Sequence, residues 1–477
     1  MHFGSKDGFQ GNSSLTRFWS IIAFGCLIGI GVYFLSEKET RWIIAPALAL
    51  AGGIFLIVVP EKKTVLTALF VFSFQVDIYL RFLYGRAGST EGLALPLVVI
   101  AGSILAVWHY ASGTTRWFTW GGSVRLPIFA FLTIIAISAI FSSERFVGLT
   151  TLLYVLEYYF LYWLAFNIIR SPDDFRRVIA LLFTILGIQA SVYFVQSALG
   201  ITFDFLGNTL EEGDVPRPGG TVSTNPAGFV SFIMPALMMA SAIALSKFRR
   251  AVSRSSLILM IMGVGAVGLS FTRAAWIGLV VGFLAIGIIG ARRKWLDLRM
   301  IVIVFTVISV GGIALLPKML DRVSSDYQVN GGGPSNDTYN ERMGLNKIAF
   351  NIIAHNPLLG VGPGAYSHEY KAYVPPGLNQ WLSTVHNTYL LWAAEIGIAG
   401  GFVFIGIIAT GLRVAYRLSR TPTSVVSICA TGWLSAVLVL AWMMFWVPWT
   451  GFAYNGMFWF MLGVMDSAER LVRAERG

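Results

Sequence analysis

Three side chains carry the chemistry open to this sequence: Arg273 in "LSFTRAAWIG", Arg342 in "NERMGLNKIAF" and His386 in "TVHNTYLLWAAEIGIAGG". The chain is 56% hydrophobic and only 12% charged, so ionisable groups at the edges of apolar runs stand out. Such groups are costly in or beside a bilayer and are functional candidates by default. Two guanidinium groups suit a diphosphate, because each presents planar donors to a pair of oxygens. An imidazole titrates near neutral pH and can take the proton of an attacking hydroxyl. Glycosyl transfer from a lipid diphosphate requires just these two things, a held leaving group and a base on the acceptor.

Each of the three also has a structural reading. Arg273 can anchor a helical hairpin at headgroup level, Arg342 can pair with Glu341, and His386 can hydrogen-bond at a helix start that Thr384 and Asn387 cap. Arg217 in "VPRPGGTVSTNPAG", Asn387 and Tyr366 are further candidates to touch sugar or phosphate. Glu395 lies about two and a half turns into the run that His386 opens, as a bundle partner or a tuner of the site. Asp173 and Asp174 follow Ser171 and Pro172, a helix-start arrangement rather than a metal site. Asn225 is expected to cap the next helix, and His355 to meet the C-terminal end of its own helix. Neither a metal nor a cofactor is expected.

The elements that must position these groups are membrane spans. Apolar stretches of roughly 16 to 25 residues recur along the chain, about 14 in all, each long enough to cross the hydrocarbon core. They cover 18–35, 42–59, 64–80, 93–111, 127–141, 147–169, 177–199, 226–246, 256–271, 274–290, 299–317, 386–411, 424–446 and 448–465. The fold class expected is therefore an all-α polytopic membrane protein. The organisation is a cytoplasmic tail at 1–17, spans through 18–317, and a smaller outer loop at 200–225. A large outer loop follows at 318–385, then the final spans at 386–465 and a cytoplasmic tail at 466–477. Residues 1–17 lack a small-residue cleavage pattern, so the first apolar stretch is read as a span.

Short loops on the cytoplasmic side collect Lys and Arg. Placing Lys6 and Arg17 inside puts Lys62, Lys63, Arg170, Arg176, Arg177, Arg292, Arg293, Arg417 and Arg470 inside too, and only Arg81 and Arg86 oppose the pattern. The net charge of +11 is thus a topology signal rather than a nucleic-acid footprint. Cys26 and Cys429 both lie in apolar runs, against a disulfide framework. In the large loop, Leu345, Ile348, Ala349, Ile352 and Ile353 recur at helical spacing, and "HNPLLGVGPGAY" ends that helix with turn residues. An amphipathic helix at the outer surface is expected there.

"HNTYLLWAAEIGIAG" has a His, an Asn, nine residues, a Gly, two residues and a Gly, at His386, Asn387, Gly397 and Gly400. This resembles the signature of O-antigen ligases. "FTRAAW" around Arg273 and "NERMGLNKIAFNIIAHNPLLGVGPGAY" are similar to other segments of the O-antigen ligase and polymerase superfamily, the likeness running from about Thr221 to Gly401. The resemblance implies a metal-independent glycosyltransferase with a GT-C-like helical bundle, multi-pass in the bacterial inner membrane and working at its periplasmic face. It implies an undecaprenyl-diphosphate-linked glycan as donor and lipid A-core or a lipid-linked glycan as acceptor. By position, Arg273 and Arg342 would hold the donor diphosphate and His386 would activate the acceptor. Ligase and polymerase stay open. The alternative class, a transporter or flippase of lipid-linked sugars, should place its polar groups near the midplane or in repeated halves; here they gather at one face, beside the large loop.

Overall fold

The computed structural model describes residues 61–76, 79–84, 92–113, 118–201, 218–222, 225–247, 250–297, 299, 302, 306, 338–376 and 384–475. Leu66 to Gly477 form one compact unit. The expected spans 18–35 and 42–59 lie outside the described residues, as does nearly all of 299–317.

In chain order the elements are α1 (Lys62–Ser73), β1 (Tyr79–Tyr84), β2 (Gly92–Pro96), α2 (Leu97–Ala111), α3 (Arg125–Phe141), α4 (Arg145–Ile168), α5 (Pro172–Leu199), α6 (Pro226–Ala244), α7 (Arg250–Leu269) and α8 (Arg273–Arg292). The large loop contributes α9 (Thr338–His355), the single turn α10 (Tyr366–Glu369) and a 3₁₀ turn at Tyr370–Tyr373. Then come α11 (Thr388–Ser419), α12 (Val425–Met443) and α13 (Phe452–Ala474). Seven of the described helices, α4 to α8, α11 and α12, are long and apolar enough to cross a membrane, which makes this a helical multi-pass membrane protein.

The apolar runs at 64–80 and 93–111 are not helical throughout. α1 stops at Ser73, and β1 and β2 pair antiparallel as a two-stranded hairpin, a small departure from an all-α fold. An apolar run does not by itself distinguish helix from strand, and the aromatic-rich "YLRFLY" suits a strand. Beyond α1, the Gln75 side chain accepts from Gln189 and its carbonyl accepts from Thr221 Oγ1, which pins the chain where the helix has ended.

α6 sits at the centre, every residue from Ala227 to Ala244 buried, as a helix apolar all round must be. It packs against α12, α7, α5 and α13. Close approach depends on small residues, as is usual between membrane helices: a Cβ on Gly432 of α12 would overlap the Met239 backbone, and one on Gly463 of α13 would overlap the Tyr162 carbonyl. Helix starts follow their local signals. Ser171 and Asp174 form a capping box at α5, and Asn225 caps α6 by accepting from Ala227 N.

One end of the bundle is sealed by arginines on carbonyls. Arg470 donates to Phe166 O (3.0 Å) and Ile169 O (2.7 Å) at the end of α4, and Arg293 donates to Thr421 O (2.6 Å) after α11. Arg417 on α11 and Arg473 on α13 both meet Glu469. These contacts gather the C-terminal ends of α4, α8, α11 and α13 at that end. The N-terminal ends of the same four helices, Arg273 and the start of α11 included, therefore lie at the other.

Candidate functional site

The region around His386 is built from the start of α11 and the turn between α12 and α13. Asn387 caps α11, its side-chain oxygen accepting from Tyr389 N (3.0 Å) and Leu390 N (3.1 Å). Thr388 donates its N–H to Met444 O (2.8 Å) and its hydroxyl to Val447 O (2.9 Å), and accepts from Trp449 N (3.1 Å). Tyr389 donates to Ala441 O. The helix start that carries His386 is thus riveted to the end of α12. That same end reaches α8, where Trp442 Nε1 donates to Ala274 O (3.0 Å), next to Arg273. His386 is half-buried and Arg273, the first residue of α8, is exposed.

Arg342, half-buried, lies in the first turns of α9. The apolar stripe of that helix, Leu345, Ile348, Ala349 and Ile352, is packed with Tyr366, Tyr370, Val385, Leu391 and Ala394. α9 therefore docks on the first half of α11 with its apolar side against protein. Arg273 and His386 fall at one end of the bundle, and Arg342 stands in the first turns of the helix docked on the first half of α11.

The other sequence candidates fare differently. Arg217 lies outside the described residues, as do Glu211, Glu212, Asp214 and Trp381. Tyr366 is 1% exposed and donates to Leu345 O, so its ring is core rather than surface. Burial pushes its phenol pKa up, with the nearby Glu395 carboxyl adding to the shift. His355 makes a 2.8 Å contact with Asn351 O at the end of its own helix.

The apolar run from His386 is not one continuous helix. Ile396 (φ −124°, ψ 16°) and Gly397 (φ 81°, ψ 169°) interrupt it. Into this break the loop after α9 is threaded. Val361 N donates to Ala394 O (3.0 Å), Gly362 N to Glu395 O (2.9 Å), and Ile398 N to Pro357 O (2.9 Å). Ser138 Oγ of α3 donates to Leu359 O (2.7 Å), and Ser142 Oγ to Val361 O. The Glu395 carboxyl accepts the backbone N–H groups of Gly364 and Tyr366. Backbone freed by a broken helix must be re-satisfied inside a membrane, and this loop does so. The approach needs glycine on both sides: a Cβ on Gly360 would overlap the Glu395 backbone, and one on Gly397 would overlap Leu358 O.

The sequence places Glu395 about two and a half turns into the run from His386, just before the break, but does not name its partners. The available signal was the pairing of "GVGPG" with the Gly397 spacing, several glycines where backbones must meet. Beside the break lies a cavity of about 410 Å³ among α3, α4, α11 and α13, lined by Trp392, Glu395, Trp449 and Trp459 among others. Arg273, Arg342 and His386 do not line it.

Residues 256–405 match the family model described as O-antigen ligase. The matched stretch contains Arg273, Arg342, His386, the threaded loop and the helix break. The search of curated proteins finds no match.

Proposed function

We propose, from the match of residues 256–405 to the O-antigen ligase family model, that this chain moves a glycan from an undecaprenyl-diphosphate carrier to an acceptor hydroxyl at the periplasmic face of the inner membrane. The donor diphosphate is held by Arg273 and Arg342 through charge-assisted hydrogen bonds. His386 takes the proton of the acceptor hydroxyl as its oxygen bonds to the anomeric carbon, and the bond from that carbon to the diphosphate breaks, leaving the diphosphate on the lipid. The chemistry needs no redox step. Lipid A-core as acceptor makes the protein a ligase, and a second lipid-linked glycan makes it a polymerase.

The observation that supports this reading is that Arg273 at the start of α8 and His386 at the start of α11 share one end of the bundle, with Arg342 on the helix docked against α11, all within the matched stretch. A transporter would use a broken helix to coordinate its cargo with freed backbone groups. Here Ala394 O, Glu395 O and Ile398 N at the break are bonded to the loop, which supports surface transfer over passage.

The test is transfer by the purified chain in lipid, with a lipid-diphosphate-linked glycan as donor and each acceptor in turn. One larger product on lipid A-core is the ligase result, and a ladder of lipid-linked products is the polymerase result. His386→Ala should abolish transfer and leave donor binding within about threefold, as expected of a base that acts only on the acceptor. Turnover like that of the wild type in this variant would remove the base assignment. Unchanged donor affinity in both Arg273→Ala and Arg342→Ala would remove the diphosphate clamp.

A further inference from the structure

The cavity beside the helix break is the feature that the three charged residues leave unused. Its wall is aromatic, with Trp392 of α11, Trp449 of the α12–α13 turn, and Tyr158 and Trp459 of α4 and α13. Glu395 supplies a carboxyl to the same lining, and Asn455, whose amide nitrogen donates to Trp449 O and Gly451 O, its amide oxygen. Tyr158 and Trp459 lie near parallel, with 24° between their planes and 6.2 Å between ring centroids. The indole N–H of Trp449, a residue only 5% exposed, has no hydrogen-bond partner among the described residues. The electron-rich face of an aromatic ring attracts the weakly positive C–H groups of a pyranose, while carboxyl and amide groups bond its hydroxyls. Such a wall, apolar with a few placed polar groups, and of this volume, is what a small-molecule site looks like.

Its position is as informative as its chemistry. Arg273 stands on α8, which packs on α12, and α12 packs on one side of α11. The cavity opens on another side of α11, toward α3, α4 and α13. Between the two lies the start of α11: cavity-lining Trp449 donates its backbone N–H to Thr388, two residues from His386. A base that serves a donor held on the α8 side needs its acceptor hydroxyl brought from elsewhere. The geometry points to the aromatic cavity as the seat of the acceptor's terminal sugar, an inference that rests on the transfer reading above. Glu395 is then a positioning residue twice over, lining the sugar site and holding the loop that closes one side of it.

The experiment compares the full chain with Trp392→Leu, Trp392→Phe and the cavity-filling Thr151→Trp, all in lipid nanodiscs. KM for acceptor, KM for donor and kcat are measured separately, and binding of the lipid-free acceptor oligosaccharide is read by saturation-transfer NMR. Loss of one stacking ring should raise acceptor KM about tenfold in Trp392→Leu. Thr151→Trp should do at least as much, Trp392→Phe should stay within about threefold of wild type, and donor KM should not move in any variant. Because unchanged donor KM reports an intact fold, a misfolded variant cannot mimic this pattern. If acceptor KM stays within twofold while the wild type turns over, or if donor KM rises instead, the inference is overturned and the transfer reading stands. If the wild type transfers to neither acceptor, the transfer reading fails, and the NMR arm decides the sugar site alone. Oligosaccharide binding lost in Trp392→Leu keeps the site, whereas no binding, or displacement by undecaprenyl phosphate, overturns it.

Discussion

At the scale of single residues, the helix break concentrates the constraints. Gly397 has φ +81°, a region that L side chains rarely adopt, and an added Cβ would overlap Leu358 O. Gly397→Ala should therefore cost about 1–3 kcal/mol in backbone strain alone, with more from expelling the loop. A thermal-unfolding measurement in detergent should show the loss, and transfer activity should fall with it. An unchanged midpoint would mean that the loop is not wedged there. Glu395 makes a separable case. Removing its carboxyl in Glu395→Ala strands the N–H groups of Gly364 and Tyr366, at about 1–3 kcal/mol for each buried donor left unpaired. Glu395→Gln keeps an acceptor oxygen and should retain most of the stability. Equal loss in both variants would show that the carboxyl does more than accept these two bonds.

At the scale of elements, α9 is a lever for Arg342. Its stripe of Leu345, Ile348, Ala349 and Ile352 is fully buried against the first half of α11. Ile348→Asp would place a charge in that apolar cluster with no partner to offset its desolvation, so α9 should undock while the membrane helices persist. Limited trypsin digestion should then cut faster at Lys347 and Lys371, and donor affinity should fall to the same extent as that expected of Arg342→Ala. Wild-type protease resistance in this variant would disprove the docking. The hairpin at 79–96 belongs to the same scale. Only its ends, 79–80 and 93–96, fall within apolar runs counted as spans, and the pairing of β1 with β2 takes them out of helix.

At the scale of the whole molecule, the basic residues turn out to have two jobs. Arg293 and Arg470, read from the sequence as markers of membrane orientation, also donate to carbonyls at the ends of helices, where cations complement the helix dipole. Orientation itself is testable by cysteine labelling in a background with Cys26 and Cys429 replaced. Lys371→Cys, exposed in the loop, should react with a membrane-impermeant maleimide in cells whose outer barrier is opened, and Ala474→Cys only once the inner membrane is breached. Labelling of both before that point would overturn a topology that puts the loop and the C-terminus on opposite sides.

Much of this protein was legible in its sequence because the bilayer imposes a one-dimensional code. Length and hydropathy locate helices such as Arg145–Ile168 and Val425–Met443 to within a few residues, and Ser171, Asn225 and Asn387 announce the starts they cap. Local spacing likewise marked α9. What local pattern does not encode is which backbone meets which across long separations. The break at Ile396–Gly397, Glu395's grip on a loop some thirty residues upstream, the burial of Tyr366, and the cavity behind Trp392 all arise from such meetings. Each depends on close approach of distant segments, and hydropathy, a property of single residues and their near neighbours, carries no record of it. Tertiary structure alone decided them.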